Sequence, residues 1–347
     1  MRVPGLARLQ RTTKRLRNRF TPKVLILLYH RVAELPSDPY LLSVTPQHFA
    51  EHLEVLQQHG VMPLQQLIQA VQNGNMPSRG IVVTFDDGYA DNLYNAKPLL
   101  EHYDIPATVF VSSGCIGQKR EFWWDELDRL LLQPGTLPAT LHLNINGTNY
   151  QWELGEVADY SVDNALRDRG WHLYQPDDPS LRHQLFRSLH QLLNALPPTE
   201  RWQVLDELCV WAGVETTGRA THRMLLPAEV AQLAEDKLVE VGAHTVTHPV
   251  LSELPMAVQR HEIQQSKTDL EAILAHPVTS FAYPHGRKSD FTAETMAIAQ
   301  ETGFTCACTT VLDLVRRSTN YFQLPRATVQ DCDGETFAQR LEGWLYS

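Results

Sequence analysis

The hydrophobic and polar positions of this chain fall into short apolar runs separated by stretches of helical spacing. Lys23-Val-Leu-Ile-Leu-Leu-Tyr-His30 is one such run, and Ile81-Val-Val-Thr-Phe85 is a second that ends in Asp86, Asp87 and Gly88. The pattern returns at Ile105–Val111, Val239–Ala243, Thr279–Tyr283 and Gly303–Thr310, and again after Leu324-Pro325-Arg326. Apolar, β-branched runs of this length predict strands buried on both faces, as in a parallel sheet. Between them the spacing predicts helices. One starts at Thr45-Pro46, where Thr45 caps and Phe49, Leu53 and Leu56 form the stripe. Others are expected over Leu64–Val71, Asp91–Tyr103, from Pro227, and over His261–His276, Ala293–Thr302 and Thr336–Trp344. Strand, helix, strand at this spacing is the βα repeat of a parallel barrel.

The rhythm breaks between about residues 119 and 225. A helix starts near Phe122-Trp123-Trp124, residues 137–153 alternate as a hairpin turning at Asn146-Gly147, and 177–225 are helical. Leu181, Leu185, Leu189, Leu192, Leu193 and Leu196 make a core stripe. Six of the seven tryptophans lie in this stretch. They either roof a glycan cleft or fill the insertion's own core, and the second use is favoured.

Composition narrows the class. Apolar content of 43% and charged content of 20% are those of an ordinary globular protein, and a net charge of −10 argues against nucleic-acid binding. Residues 1–23 nevertheless hold eight basic residues and no acid, so the rest carries −18. That segment reads as a solvated tail, or as an amphipathic helix touching an anionic membrane, with the tail favoured. Five cysteines without C-x-x-C spacing fit a reducing compartment, and Cys306 and Cys308 read as small apolar residues on one face of a strand. With no membrane-span-length run and no apolar signal-peptide core, a cytoplasmic location is expected.

Candidate chemistry sits at the ends of the apolar runs. Asp86 and Asp87 at the lip of a strand serve equally well as a cap or as paired catalytic acids. His244 and His248 are four apart after another strand; on one helical turn they would share a face and reach a single ion, with the acidic pair available to complete the set. His48 and His52 have the same spacing, but lack a strand or an acidic loop and read as solvated. Phe281-Ala-Tyr-Pro-His-Gly-Arg287 is by itself only a turn.

Taken in order, Thr84-Phe-Asp-Asp-Gly88, His244-Thr-Val-Thr-His248 and the Tyr283-Pro284 turn resemble the polysaccharide deacetylases, the NodB-type domain of carbohydrate esterase family 4. The resemblance covers roughly 24–118 and 226–347. It implies an α/β fold, a distorted (β/α) barrel of about seven parallel strands over 24–347, with a mostly helical insertion at about 119–225. Family members carry a Leu-x-His near the C-terminus; here Leu28-Tyr29-His30 stands at the front, resembling the permuted poly-N-acetylglucosamine deacetylases. First and last strands of a barrel are neighbours, so such a move leaves the motif in place.

The resemblance implies a metal held by Asp87, His244 and His248, Asp86 as the base, His30 as the general acid, and the Tyr283 backbone amide as an oxyanion donor. Zinc suits the ligands, and cobalt or nickel would also fit. The arginine that the family places ahead of the turn is missing, since Ser280, Phe281 and Ala282 occupy that approach. Arg326 could supply the guanidinium, or be a surface ion-pair partner. The expected activity is removal of N-acetyl groups from an N-acetylated sugar in a polysaccharide or a precursor, with a formyl group or an O-acetyl ester as variants. The competing reading is a non-catalytic glycan-binding protein of the same fold.

Overall fold

The computed structural model describes residues 22–346, which form two compact units: residues 22–33, 44–114 and 227–346 make one, and 34–43 with 115–226 the other. The basic segment expected over 1–23 lies, up to residue 21, outside the described residues. No described helix is long and apolar enough to cross a membrane.

The first unit is built on seven parallel strands: β1 (Lys23–Tyr29), β2 (Arg79–Phe85), β3 (Ala107–Val111), β4 (Val239–Ala243), β5 (Ser280–Ala282), β6 (Cys306–Cys308) and β7 (Ala327–Thr328). Their order is β6-β5-β4-β3-β2-β1-β7, so β7 returns to lie beside β1 and the sheet curls into a distorted barrel. Between the outer strands, residues 309–326 stitch the gap: Thr309 N donates to Leu324 O (2.8 Å) and Arg326 N to Val311 O (3.0 Å). The register sets the strand ends level. Tyr29 pairs with Phe85, and Ala243 pairs with both Val111 and Phe281, so His30 and Asp86 leave neighbouring strands at one height, as do Ser112, His244 and Ala282.

Alternate strand positions share one core. Val24, Ile26, Val82, Phe110, Ala282, Cys306 and Cys308 cluster there, with Leu64, Leu67, Ile68 and Val71 of helix Leu64–Gln72 packed against them. The cysteines thus serve as small apolar residues, and all five are free thiols. Thr45 caps the helix Pro46–Leu56 as its sequence predicts. His52 on that helix departs from the solvated reading. Because i, i+4 from His48 rotates inward next to Phe49 and Leu53, His52 is fully buried, with its ring stacked on Phe337 (4.0 Å) and Nε2 2.8 Å from Cys332 O. His48 stays at the surface side, 2.8 Å from Asp331 Oδ1.

The second unit carries more helix than strand. It holds Trp123–Leu131, Leu181–Asn194 and Pro198–Ala212, with the hairpin Thr140–Ile145/Thr148–Glu153. Its turn places Asn146 (φ 52°) and Gly147 (φ 80°) in the left-handed region, as a two-residue Asn-Gly hairpin demands. Leu185, Leu189 and Leu193 are buried, whereas Leu181 is exposed. Trp123, Trp124 and Trp171 are buried and the other three tryptophans half-buried, which bears out core filling.

Gly242 shows how tightly β4 is packed. A Cβ there would lie 2.7 Å from Ser280 Oγ and against the Phe110 ring. Gly242→Ala is therefore expected to destabilise the protein by about 1–3 kcal/mol, read as a lower urea midpoint; an unchanged midpoint would mean that the sheet has slack at this point.

Candidate active site

The acidic pair is made by a strand that stops abruptly. Asp86 N still donates to Tyr29 O (3.0 Å), continuing the ladder, but Asp87 (φ 78°) and Gly88 (φ 84°) both turn left-handed. This breaks the alternation that would have sent the two carboxylates to opposite faces. Gly88 cannot be replaced without strain, since a Cβ there would lie 2.8 Å from Val111 Cγ1.

The histidine pair is brought together differently from the expectation. His244 and His248 do not lie on a helical turn; β4 ends at Ala243 and the five residues form a loop with Thr245 (φ 62°) and His248 (φ 57°) left-handed. The physical reason is a carboxylate that competes for the loop amides. Glu262, buried on helix Met256–Leu274, accepts from Val246 N (2.8 Å), Thr247 N (2.9 Å) and Thr247 Oγ1 (2.7 Å). Ser113 N and Gly114 N take the carbonyls of Thr245 and Val246 (both 3.0 Å). An acid at the seventh position of a long helix carries no signal of this in the sequence, so Glu262 was invisible there.

Asp87, His244 and His248 converge, with ligand atoms all within 4.8 Å of one another, and all three are buried. Asp87 Oδ1 is 3.6 Å from His244 Nε2 and 3.3 Å from His248 Nε2. Ligands about 2.0–2.1 Å from a tetrahedral zinc stand roughly 3.4 Å apart, so these residues fit such an ion. His244 Nδ1 is 2.8 Å from Ala282 O; donation to that carbonyl leaves the Nε2 lone pair for a metal. Burial lowers the pKa of both imidazoles, and for His248 the nearby His244, His285 and His30 lower it further. Neutral imidazoles are the form a cation binds.

Asp86 is held apart from this set by Arg326. The guanidinium donates from Nη1 and Nη2 to the two carboxylate oxygens (2.7 and 2.6 Å), from Nε to Thr309 O (2.9 Å) and from Nη1 to Thr84 Oγ1 (3.2 Å), at zero exposure. Arg326 is thus no surface ion-pair partner. Burial alone would raise the Asp86 carboxyl, but Arg326 and His244 outweigh it and hold the pKa below its usual value. His30 stands one strand away. Asn92 Nδ2 fixes its carbonyl (2.9 Å) from a widened first turn of the helix that follows, where Asp91 also binds Arg31 Nε (3.0 Å). Burial lowers the His30 imidazole to about 4, against the opposing pull of Asp86.

Tyr283 does not fit the role expected of it. Its amide already donates to Cys308 O (3.1 Å), extending the β5–β6 ladder, and its buried hydroxyl donates to Phe322 O (3.1 Å). The turn contributes another residue instead. His285 (φ 58°) sets its ring 4.9 Å from that of His248. A single histidine in a Pro/Gly turn carried no sequence signal.

The polysaccharide deacetylase family profile matches residues 73–136 and 200–307, the two blocks that contain the acidic strand and the histidine loop. The chain belongs to the polysaccharide deacetylase family. Within it, YxkH of Bacillus subtilis is 28% identical over 142 residues, 40% of this chain and 50% of that protein. The poly-beta-1,6-N-acetyl-D-glucosamine N-deacetylase of Staphylococcus epidermidis is 32% identical over 107 residues, 27% of this chain and 37% of that protein. The matched stretches span half or less of these relatives' lengths. Among solved structures, IcaB from Ammonifex degensii aligns with a TM-score of 0.55 at 18% identity, covering 94% of this chain and 98% of that one. Such a likeness establishes the deacetylase fold, and His30 and Arg326 lie outside the profile match.

Two outcomes follow from this geometry. Glu262→Ala frees the histidine loop, so zinc affinity measured by calorimetry is expected to fall about 10–100-fold; an unchanged affinity would show that the loop holds itself. Arg326→Met strands a buried carboxylate and should cost about 3–5 kcal/mol at pH 7. Because the native Asp86 pKa is lowered, its contribution is present above the unfolded carboxyl pKa and lost as pH falls through the folded one. The stability gap between variant and wild type in urea should therefore narrow on acidification, and a pH-independent gap would contradict the pairing.

Proposed function

We propose that this chain is a metal-dependent hydrolase that removes N-acetyl groups from an N-acetylated glycan. The observation that carries the reading is the convergence of Asp87, His244 and His248 beside a second carboxylate clasped by a buried arginine. The relatives named as poly-beta-1,6-N-acetyl-D-glucosamine N-deacetylases support a β-linked N-acetylglucosamine polymer as the substrate. The same arginine, buried against Asp86, supports the catalytic reading over a non-catalytic one despite the absence of the motif arginine before the turn.

Asp87, His244 and His248 would hold the cation, with zinc the ion that best suits one carboxylate and two imidazoles. When bound, a divalent cation supplies Lewis-acid polarisation of an acyl carbonyl and a lowered pKa for attacking water. Asp86, ionised because Arg326 keeps its pKa low, accepts the proton of the attacking water. Arg326 also fixes which way that carboxylate faces. His30 enters neutral, and its proton affinity rises as negative charge builds on the acyl oxygen. It then takes up the proton that Asp86 accepted and delivers it to the departing nitrogen, so that water and amide become acetate and amine. The five free thiols support a reducing compartment, the cytoplasm. The basic segment 1–23 would suit contact with an anionic membrane surface.

The test is metal content measured together with acetate release from a β-1,6-linked N-acetylglucosamine oligomer. Wild type should carry one divalent ion and release acetate, and Asp87→Ala should lose both. Asp86→Asn should keep the ion while acetate release falls about 10²–10⁴-fold. A folded wild type that binds no divalent ion would overturn the reading.

A further inference from the structure

His30 is the first residue beyond β1, and the backbone on either side of it is held from a different direction. Before it, Tyr29 O accepts from Asp86 N (3.0 Å). After it, His30 O accepts from Asn92 Nδ2 (2.9 Å). Peptide planes are rigid, so a residue's conformation rests on the two torsions between the planes that flank it. Pinning both planes fixes φ and ψ of His30, and with them the direction of its Cα–Cβ bond.

The next two residues are held by the same turn. Val32 N donates to Asp91 Oδ1 and Arg31 Nε to Asp91 Oδ2 (both 3.0 Å), while Asn95 Nδ2 donates to Val32 O (2.7 Å). Arg31 is buried, with its guanidinium 4.3 Å from the centre of the Tyr89 ring. Asp91, Asn92 and Asn95 stand where a helix opens with a π turn, Asn92–Ala96, and continues as Lys97–Tyr103. Lys97 N reaches back five residues to Asn92 O. Single π turns within helices are rare and frequently mark functional sites. Here Leu93, Ala96 and Leu100 stay in the core while three polar side chains face residues 30–32.

Asn92 is a costly residue for packing alone. It is 1% exposed, and its Oδ1 has no hydrogen-bond partner among the described residues. An unpaired buried acceptor costs about 1–3 kcal/mol, which a leucine of similar shape would avoid. What the amide supplies, and leucine would not, is the donor on the His30 carbonyl.

We propose that Asn92 is a positioning residue for His30, holding its imidazole where the departing nitrogen takes its proton. This rests on the deacetylase reading above. A misplacement of about 1 Å can cost roughly 10²-fold in rate, so one backbone hydrogen bond is enough to matter. The effect is confined to bonds whose leaving group needs a proton. An amine does, whereas para-nitrophenolate departs as a stable anion.

The experiment measures acetate release by the full chain, supplied with zinc, from a β-1,6-linked N-acetylglucosamine oligomer and from para-nitrophenyl acetate. Asn92→Leu should lower kcat on the oligomer about 10–100-fold, with KM, zinc content and the rate on the aryl ester unchanged. On a His30→Ala background the same substitution should cost nothing further, as expected of two residues that act as a unit. An unchanged kcat, equal losses on both substrates, or a full further loss on the His30→Ala background overturns the proposal. So does failure of both Asn92→Leu and Asn92→Ala to fold by circular dichroism, since Asn92 would then serve the fold. If wild type leaves the oligomer intact, the deacetylase reading is what fails on this substrate. The crystal structure of Asn92→Leu then decides the proposal: a displaced His30 ring supports it, and a ring in its wild-type place overturns it.

Discussion

The buried pair between Arg326 and Asp86 is the interaction on which the rest of the site depends. Removing two charges from water costs several kcal/mol each, and only close geometry with every polar atom engaged repays it. Here two hydrogen bonds of 2.6 and 2.7 Å join the charges, while Thr309 O and Thr84 Oγ1 occupy further guanidinium positions. Asp86 follows β2, Arg326 precedes β7, and β1 runs between those two strands. The pair therefore ties the segment before β7 to the end of β2 across the strand that ends just before His30. It also sets the two neighbouring carboxylates apart: Asp86 is clasped by a fixed cation that keeps its pKa low, and Asp87 faces the imidazoles.

That division explains the electrostatics of the rest. His30, His244 and His248 are all lowered by burial, and the imidazoles depress one another where they face each other. Packing neutral rings against a carboxylate is unfavourable for an empty core but suits a cation that takes their lone pairs. The Glu262 clamp on Val246 and Thr247 stabilises the backbone strain of two left-handed residues that places both rings on one point. Strand register does the remaining work, since level strand ends set His30 beside Asp86 and His244 beside Ser112 although each pair is far apart in the chain.

Much of this could be read in the sequence because it is carried by local pattern. Continuous apolar runs announced the parallel strands, Thr45-Pro46 and Asn146-Gly147 announced a helix start and a hairpin, and Asp86-Asp87 and His244…His248 stood where strands end. What escaped is set by tertiary contact. The helical reading of His244–His248 failed because Glu262, distant in pattern if not in number, takes the loop amides. The Tyr283 amide was unavailable because β6 claims it. His52 shared the spacing of the ligand pair but turned into the core, where Phe337 from the far end of the chain covers it. Arg326 was legible only as one of two open readings, guanidinium donor or surface ion-pair partner, and the return of β7 to β1 makes it the partner of Asp86.

The most direct test of the central claim is an anomalous-difference map from crystals grown with zinc, collected at the zinc absorption edge. The account predicts one strong peak bonded to Asp87, His244 Nε2 and His248 Nε2, with Asp86 still paired to Arg326. A peak on Asp86, or none among these three residues, would contradict it.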